Sequence, residues 1–255
     1  FGSSAEFQLS MSRLEYLTPE GFRIDGRQKD ELRTLRCEIG TVAPRADGSA
    51  VVQLGNTHAL AYVYGPTNVK MRAKMKHDRA IISVDYSTAC FATATRKRRA
   101  RGDRDSHERS LWIQQTFEAV VMTSMFPRSE ISIYVQIVQA DGSEVAAAVN
   151  AVSLALADAG IPMVDFVTAS TATLIQGVPL LDVNDVERSA GGAELLLGSW
   201  ARTKEVTLME VDSKVPADRL MEMCEVAAKG CEEIATTLQA QLREHASILT
   251  AKAAA

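Results

Sequence analysis

QADGSEVAAAVNAVSLALADAGIPM, residues 139–163, carries the strongest structural signal in the sequence. The residues before it, Ile131 to Gln139 (ISIYVQIVQ), alternate apolar and polar with the period of a strand. Asp141-Gly142-Ser143 breaks that alternation. From Glu144 onward the chain is Ala-rich and apolar on every side, with Gly160 as C-terminal cap and Pro162 beyond it. A helix that is apolar all round is buried between layers rather than laid on a surface. The stretch therefore predicts a strand, a tight Gly turn and a central helix. The turn aims free N–H groups and the positive end of the helix dipole at whatever lies in front, an anion seat in principle.

The flanking segments supply the layers. Upstream, LRCEIG, SAVVQLGNTHALAYVYGP and AIISVDYSTACF, between Thr34 and Phe91, have period two and β-branched or aromatic residues, so about three or four strands follow. Asp47-Gly48 and Gly55-Asn56 are their turns, and Lys70 to Lys76 falls in a loop. Asp105 or Ser106 can cap a helix whose apolar positions Ile113, Phe117, Val120, Val121 and Met125 recur until Pro127. Downstream, VTASTATLIQG, PLLDV, AELLLGSWA and EVTLMEVD read as short strands, with a turn or close backbone approach at Gly191-Gly192. A last helix starts at Pro216 with a stripe at Leu220, Cys224, Ala227, Cys231, Ile234, Leu238 and Leu242. Residues 23–33 (RIDGRQKDELR) suggest an ordered arm, and 1–10 (FGSSAEFQLS) a linker ahead of Met11. The expectation is one α+β domain over 11–255, with helices packed on sheets.

Composition narrows the function. The chain has 255 residues, 46% hydrophobic and 24% charged, which excludes disorder, and no run approaches the roughly 18 apolar residues of a membrane span. Cys37, Cys90, Cys224 and Cys231 form no CxxC pair, and the four His lack zinc spacing, so no transition metal, cofactor or membrane is expected. The net charge is −4, yet Lys70, Arg72, Arg96, Arg98, Arg99 and Arg104 fall in one basic stretch. Such a patch on an acidic protein fits a phosphate-rich ligand read locally, although a solvated face is the plain alternative.

RIDGR at 23–27, LGNT at 54–57 with YGP at 64–66, FPR at 126–128, QADGS at 139–143 and SLALADAGIPM at 153–163 stand in this order. Together they resemble the RNase PH superfamily from about residue 20 to about 247, and most of all its subunits in the exosome ring. The resemblance implies a fold of two βαβα-like halves with the topology of ribosomal protein S5 domain 2. It also implies a hexameric ring with other RNase PH-like subunits, cap subunits, single-stranded RNA and a separate exosome nuclease as partners, and a nuclear and nucleolar, also cytoplasmic, location.

Active members place a phosphate-binding Arg in the first turn of the central helix. The matching run here is Ser143, Glu144 and Val145, so the Arg is replaced by Val145, and Glu144 would repel an incoming phosphate. Glu194 stands where active members carry an Asp, and its plain reading is a solvated strand-end residue. Of two adjacent Arg before the first long helix, Arg104 is kept and Asp105 replaces the second. These departures predict a catalytically silent subunit that guides RNA along Lys70, Arg72, Arg96, Arg98, Arg99 and Arg104 in 3′–5′ degradation and rRNA processing. The alternatives are an active phosphate-dependent exoribonuclease releasing nucleoside diphosphates, or a protein of this fold with an unrelated partner.

Overall fold

A computed structural model describes residues 16–18, 21–41, 43–69, 75–96 and 103–254, with residues 252–254 described by their backbone alone. The first half of the chain builds a five-stranded sheet. Its strands are β1 (Leu35–Ile39), β2 (Gly48–Leu54), β3 (Thr57–Asn68), β4 (Ile81–Thr88) and β5 (Ser129–Gln139), in the order β1-β2-β3-β5-β4. All pairs are antiparallel except β4 with β5. The second half builds a four-stranded antiparallel sheet, β7-β6-β8-β9, from β6 (Val167–Ile175), β7 (Val178–Leu181), β8 (Ala193–Trp200) and β9 (Val206–Val211).

Helix α2 (Glu144–Asp158) lies between the sheets, touching β2, β3 and β5 on one side and β6 and β8 on the other. Every residue from Ala146 to Leu156 is buried, as an all-apolar helix surface requires. Alanine makes the close approach possible. Gly48 comes so near the Ala155 carbonyl that a Cβ there would clash. Helix α1 (Arg104–Val120) packs against β4 and reaches β9, and the long helix α4 (Ala217–Ala254) covers β6 and β8 from the face opposite α2. Strand β6 is therefore enclosed on both faces. Its hydroxyls still find partners, because Thr168 and Ser170 donate to the Cys231 and Ala227 carbonyls of α4.

The structure corrects the boundaries of α1. Its N-cap is Asp103 rather than Asp105 or Ser106, and it stops at Val120, short of Pro127. Val121 turns extended and bridges Met163, while Met122 N–H bonds the Pro162 carbonyl and Val164 N–H the Val120 carbonyl. Backbone partners from the distant 162–164 segment outcompete another helical turn. A short helix that periodicity did not suggest, α3 (Asp185–Arg188), carries a capping box between Asn184 and Glu187.

The arm at 23–33 is ordered and has no helix. Its hold is electrostatic: the buried Arg23 guanidinium grips the Glu187 carboxylate through Nε and Nη2 and also bonds the Asp182 carbonyl. Arg33 forms a fork on Asp182, Nε to Oδ2 at 2.9 Å and Nη2 to Oδ1 at 2.7 Å. Bidentate pairs of this kind fix orientation as well as distance.

Candidate functional site

Three consecutive residues set the geometry at the β5–α2 junction. Gly142 (φ 75) is pressed against the Val183 and Asn184 backbone where no Cβ would fit, and Ser143 follows at φ 53. Ser143 pays for this left-handed conformation with a saturated hydroxyl. Its Oγ lies 2.5 Å from Thr171 Oγ1, 2.8 Å from Asp182 Oδ1 and 3.3 Å from the Val183 carbonyl. Buried at 2% exposure, it serves the fold and offers nothing to a ligand.

One residue later Glu144 opens α2 and turns into a cavity of about 100 Å³ lined also by Arg109, Trp112, Val145, Arg188, Glu194 and Asp212, among others. Arg109 Nη1 donates to Glu144 Oε2 at 2.7 Å, the Tyr86 hydroxyl stands 3.5 Å from the same oxygen, and Arg188 reaches Oε1 at 3.9 Å. Burial opposes the charge on Arg109, yet Tyr86 and Glu144 outweigh it and hold its pKa above the ordinary value. Burial, then the Glu144 charge, pushes the Tyr86 phenol up to about 12. Val145 gives the cavity an apolar wall beside Trp112 and Leu196.

Glu194 is not the solvated strand-end residue that its sequence context suggests. Its side chain is 16% exposed and forms an ion pair with Arg188, Nε to Oε2 3.1 Å. Burial raises its pKa, Arg188 opposes the shift, and the neighbouring charges of Asp212 and Glu144 reinforce it. Among the described residues the cavity thus sets two guanidiniums against four carboxylates, Glu144, Glu194, Glu210 and Asp212, and both guanidiniums are already paired. That balance disfavours an anion. Among the described residues no group of three or more His, Cys, Asp or Glu is placed to hold a metal ion.

Of the basic residues singled out, Lys70, Arg72, Arg98 and Arg99 lie outside the described residues. Arg96 and Arg104 are exposed, Arg104 as the first residue of α1. Arg109, Arg188 and Asp212 escaped sequence reasoning as site residues. Arg109 follows the basic stretch that ends at Arg104 with no spacing that singles it out, and Arg188 hides behind the Asn184–Glu187 capping spacing, itself a legible signal.

Residues 31–162 match the 3′ exoribonuclease family, domain 1, and residues 165–230 match domain 2 of the same family. The chain is 46% identical over 243 residues to the human exosome complex component RRP41, covering 94% of this chain and 99% of that one. It is 42% identical to the Arabidopsis thaliana exosome complex component RRP41 homolog, again over 243 residues, 95% of this chain and all of the other. In fold it is similar to the crystal structure of rice Rrp46, with a TM-score of 0.76 at 24% identity over 86% of this chain and 100% of that one. Motif order, two sheets enclosing α2 and these matches agree: the chain belongs to the 3′ exoribonuclease, or RNase PH, family.

Proposed function

We propose that this chain is an RNase PH-like ring subunit of an exosome, that it guides single-stranded RNA toward a separate nuclease, and that it does not itself cleave. The relatives named above, exosome components at 42% and 46% identity over nearly their whole length, support the assembly. One observation carries the silence. Where an attacking phosphate would have to sit at the head of α2, the Val145 side chain offers no donor or positive charge, and the Glu144 carboxylate already occupies Arg109. Inorganic phosphate would enter against four carboxylates and find no unpaired guanidinium among the described lining residues. Phosphorolysis needs the opposite, a cradle of cations and N–H groups ready for the anion.

In this reading the ring is hexameric and contains other RNase PH-like subunits, with cap subunits on top. Lys70, Arg72, Arg96, Arg98, Arg99 and Arg104 track the RNA backbone, and the complex works in nucleus, nucleolus and cytoplasm on RNA turnover and rRNA processing. The test is an exonuclease assay on single-stranded RNA with and without phosphate. Equal, background-level shortening in both buffers is expected. Phosphate-dependent release of nucleoside diphosphates that Glu194→Ala abolishes would establish instead an active phosphorolytic enzyme.

A further inference from the structure

Among the described residues no large apolar side chain is more exposed than Phe91, at 72%. It stands in the turn that follows β4, and that turn is pinned. Ala89 N–H bonds the Ile137 carbonyl of β5 at 2.8 Å, Ala92 N–H bonds the Ala89 carbonyl at 3.0 Å, and the Ala92 carbonyl accepts from Ala140 N–H at 3.0 Å. Both sides of the turn are thus tied to β5 or the residue after it, and Ala92 sinks to 5% exposure. With its neighbour turned inward, the ring is turned out. A ring held in water by a fixed backbone contributes none of the burial from which apolar surface gains.

Strands β4 and β5 run parallel, so helix α1, which connects them, starts at the end of the sheet where both strands finish. Phe91, the exposed Arg104 that opens α1 and the head of α2 therefore share one end of the molecule. Arg96, also exposed, follows Phe91 on the same loop, across a bend in which the Thr93 hydroxyl donates to the Thr95 carbonyl at 2.7 Å. From Arg96 to Asp105 the sequence carries six basic residues against two acids, Asp103 and Asp105. An exposed ring beside such a surplus of cations suits a single strand, whose bases stack on aromatic faces while its phosphates pair with the cations. A protein partner fits less well. An interface centre gathers several large apolar side chains, whereas the exposed residues that follow Phe91 on its loop, Ala94, Thr95 and Arg96, are small or polar.

We infer that Phe91 is a stacking platform for one unpaired nucleobase of single-stranded RNA. The ligand class rests on the RNA-guiding reading above; the place and mode of contact rest on the exposed ring. The stack accepts any base, because every base presents a π face and stacking does not read the edge. Duplex RNA gains nothing from the ring, since its bases are already stacked on one another. The ring carries no charge, so its share of the affinity does not depend on salt, in contrast to that of the cations.

The experiment purifies the native complex through the full chain and measures its binding of a single-stranded oligoadenylate over a range of salt, for the parent, Phe91→Ala, Phe91→Leu and Phe91→Trp. The Ala and Leu variants should bind about 5- to 150-fold more weakly with an unchanged slope of log affinity against log salt, and Phe91→Trp should bind like the parent. A fluorescent adenine analogue in the strand, quenched when it stacks, should be quenched by the parent and Phe91→Trp complexes and much less by Phe91→Leu. Parent-like affinity or parent-like quenching with Phe91→Leu overturns the stacking. Loss of other chains from the Phe91→Ala complex marks the ring as a protein contact and overturns it as well. In these cases the RNA-guiding reading stands, because the parent still binds the strand. A parent complex that does not bind single-stranded RNA removes that reading and this inference together.

Discussion

At the scale of single residues, buried charge does the fixing. Arg23 and Glu187 have no exposed side-chain surface, so each needs the other. Arg23→Met should cost about 3–5 kcal/mol because it strands a buried carboxylate, which for a domain of this size is roughly 10 °C in melting temperature. Arg23→Met with Glu187→Leu should recover part of that loss; thermal unfolding of the two proteins checks it. Two carboxylates then give opposite pH responses. Burial works to raise the Asp182 pKa, but the hydrogen bonds and charge of Arg33 prevail and lower it. The stability Asp182 supplies is present above its ordinary value of 3.8 and is lost as pH falls through the folded pKa. Glu194 is raised above its ordinary 4.5, so the folded state favours its protonated form, and that advantage is full below 4.5 and gone once pH exceeds the folded pKa. Glu194→Gln should therefore melt higher than the parent near pH 7, and the difference should vanish near pH 4.

At the scale of elements, α2 substitutes for a strand. Strand β7 pairs with β6 only from Ala172 to Ile175, which leaves the earlier part of β6 with free backbone groups on that side. Asn150 takes them: its Nδ2 donates to the Ala169 carbonyl at 3.0 Å and its Oδ1 accepts from the Ala169 N–H at 2.9 Å, while Ser153 Oγ bonds the Val167 carbonyl at 2.7 Å. Asn150 and Ser153, the two polar residues in the buried stretch of α2, are thus the clasp between the two halves of the chain. Asn150→Leu keeps the volume but orphans both Ala169 groups, each worth about 1–3 kcal/mol when buried and unpaired. A loss of about 2–5 kcal/mol in urea unfolding is expected, with hydrogen exchange rising first at β6.

At the scale of the whole molecule, a net charge of −4 conceals an uneven field. The cavity at the head of α2 is acidic, whereas the exposed Arg96 and Arg104 flank the basic run between them. Replacing Arg96, Arg99 and Arg104 with Glu should flatten the dependence of log RNA affinity on log salt by about two units in the assembled complex, since each phosphate contact on a single strand contributes about 0.7. Binding should weaken alike for all RNA sequences, because backbone contacts do not read bases. Stability should change by less than about 0.5 kcal/mol per substitution. A salt titration of the reversed complex with the same slope as the parent would mark the basic run as a solvated face.

Local pattern sufficed for the elements. Period two over Leu35–Thr88 marks β1 to β4, the all-round apolarity of Ala146–Leu156 already states that α2 lies between layers, and the stripe from Leu220 to Leu242 marks the buried side of α4. These properties depend on neighbours within a turn or two of chain. The site does not. Arg109 from α1, Glu144 from α2, Arg188 from α3, Glu194 from β8 and Asp212 just past β9 share one cavity because the order of the strands folds these elements together. Periodicity gives Glu194 a strand end but not its burial, and gives Val121 a helical position that Met163 overrides with a bridge. Arg23 and Glu187 are 164 residues apart, a separation at which no sequence pattern distinguishes a buried ion pair from two solvated charges. The sequence determined which segments are strands and helices and which helix is central, since those follow from local periodicity; only the tertiary structure decided which charges meet, since that follows from desolvation and from contacts between elements distant along the chain.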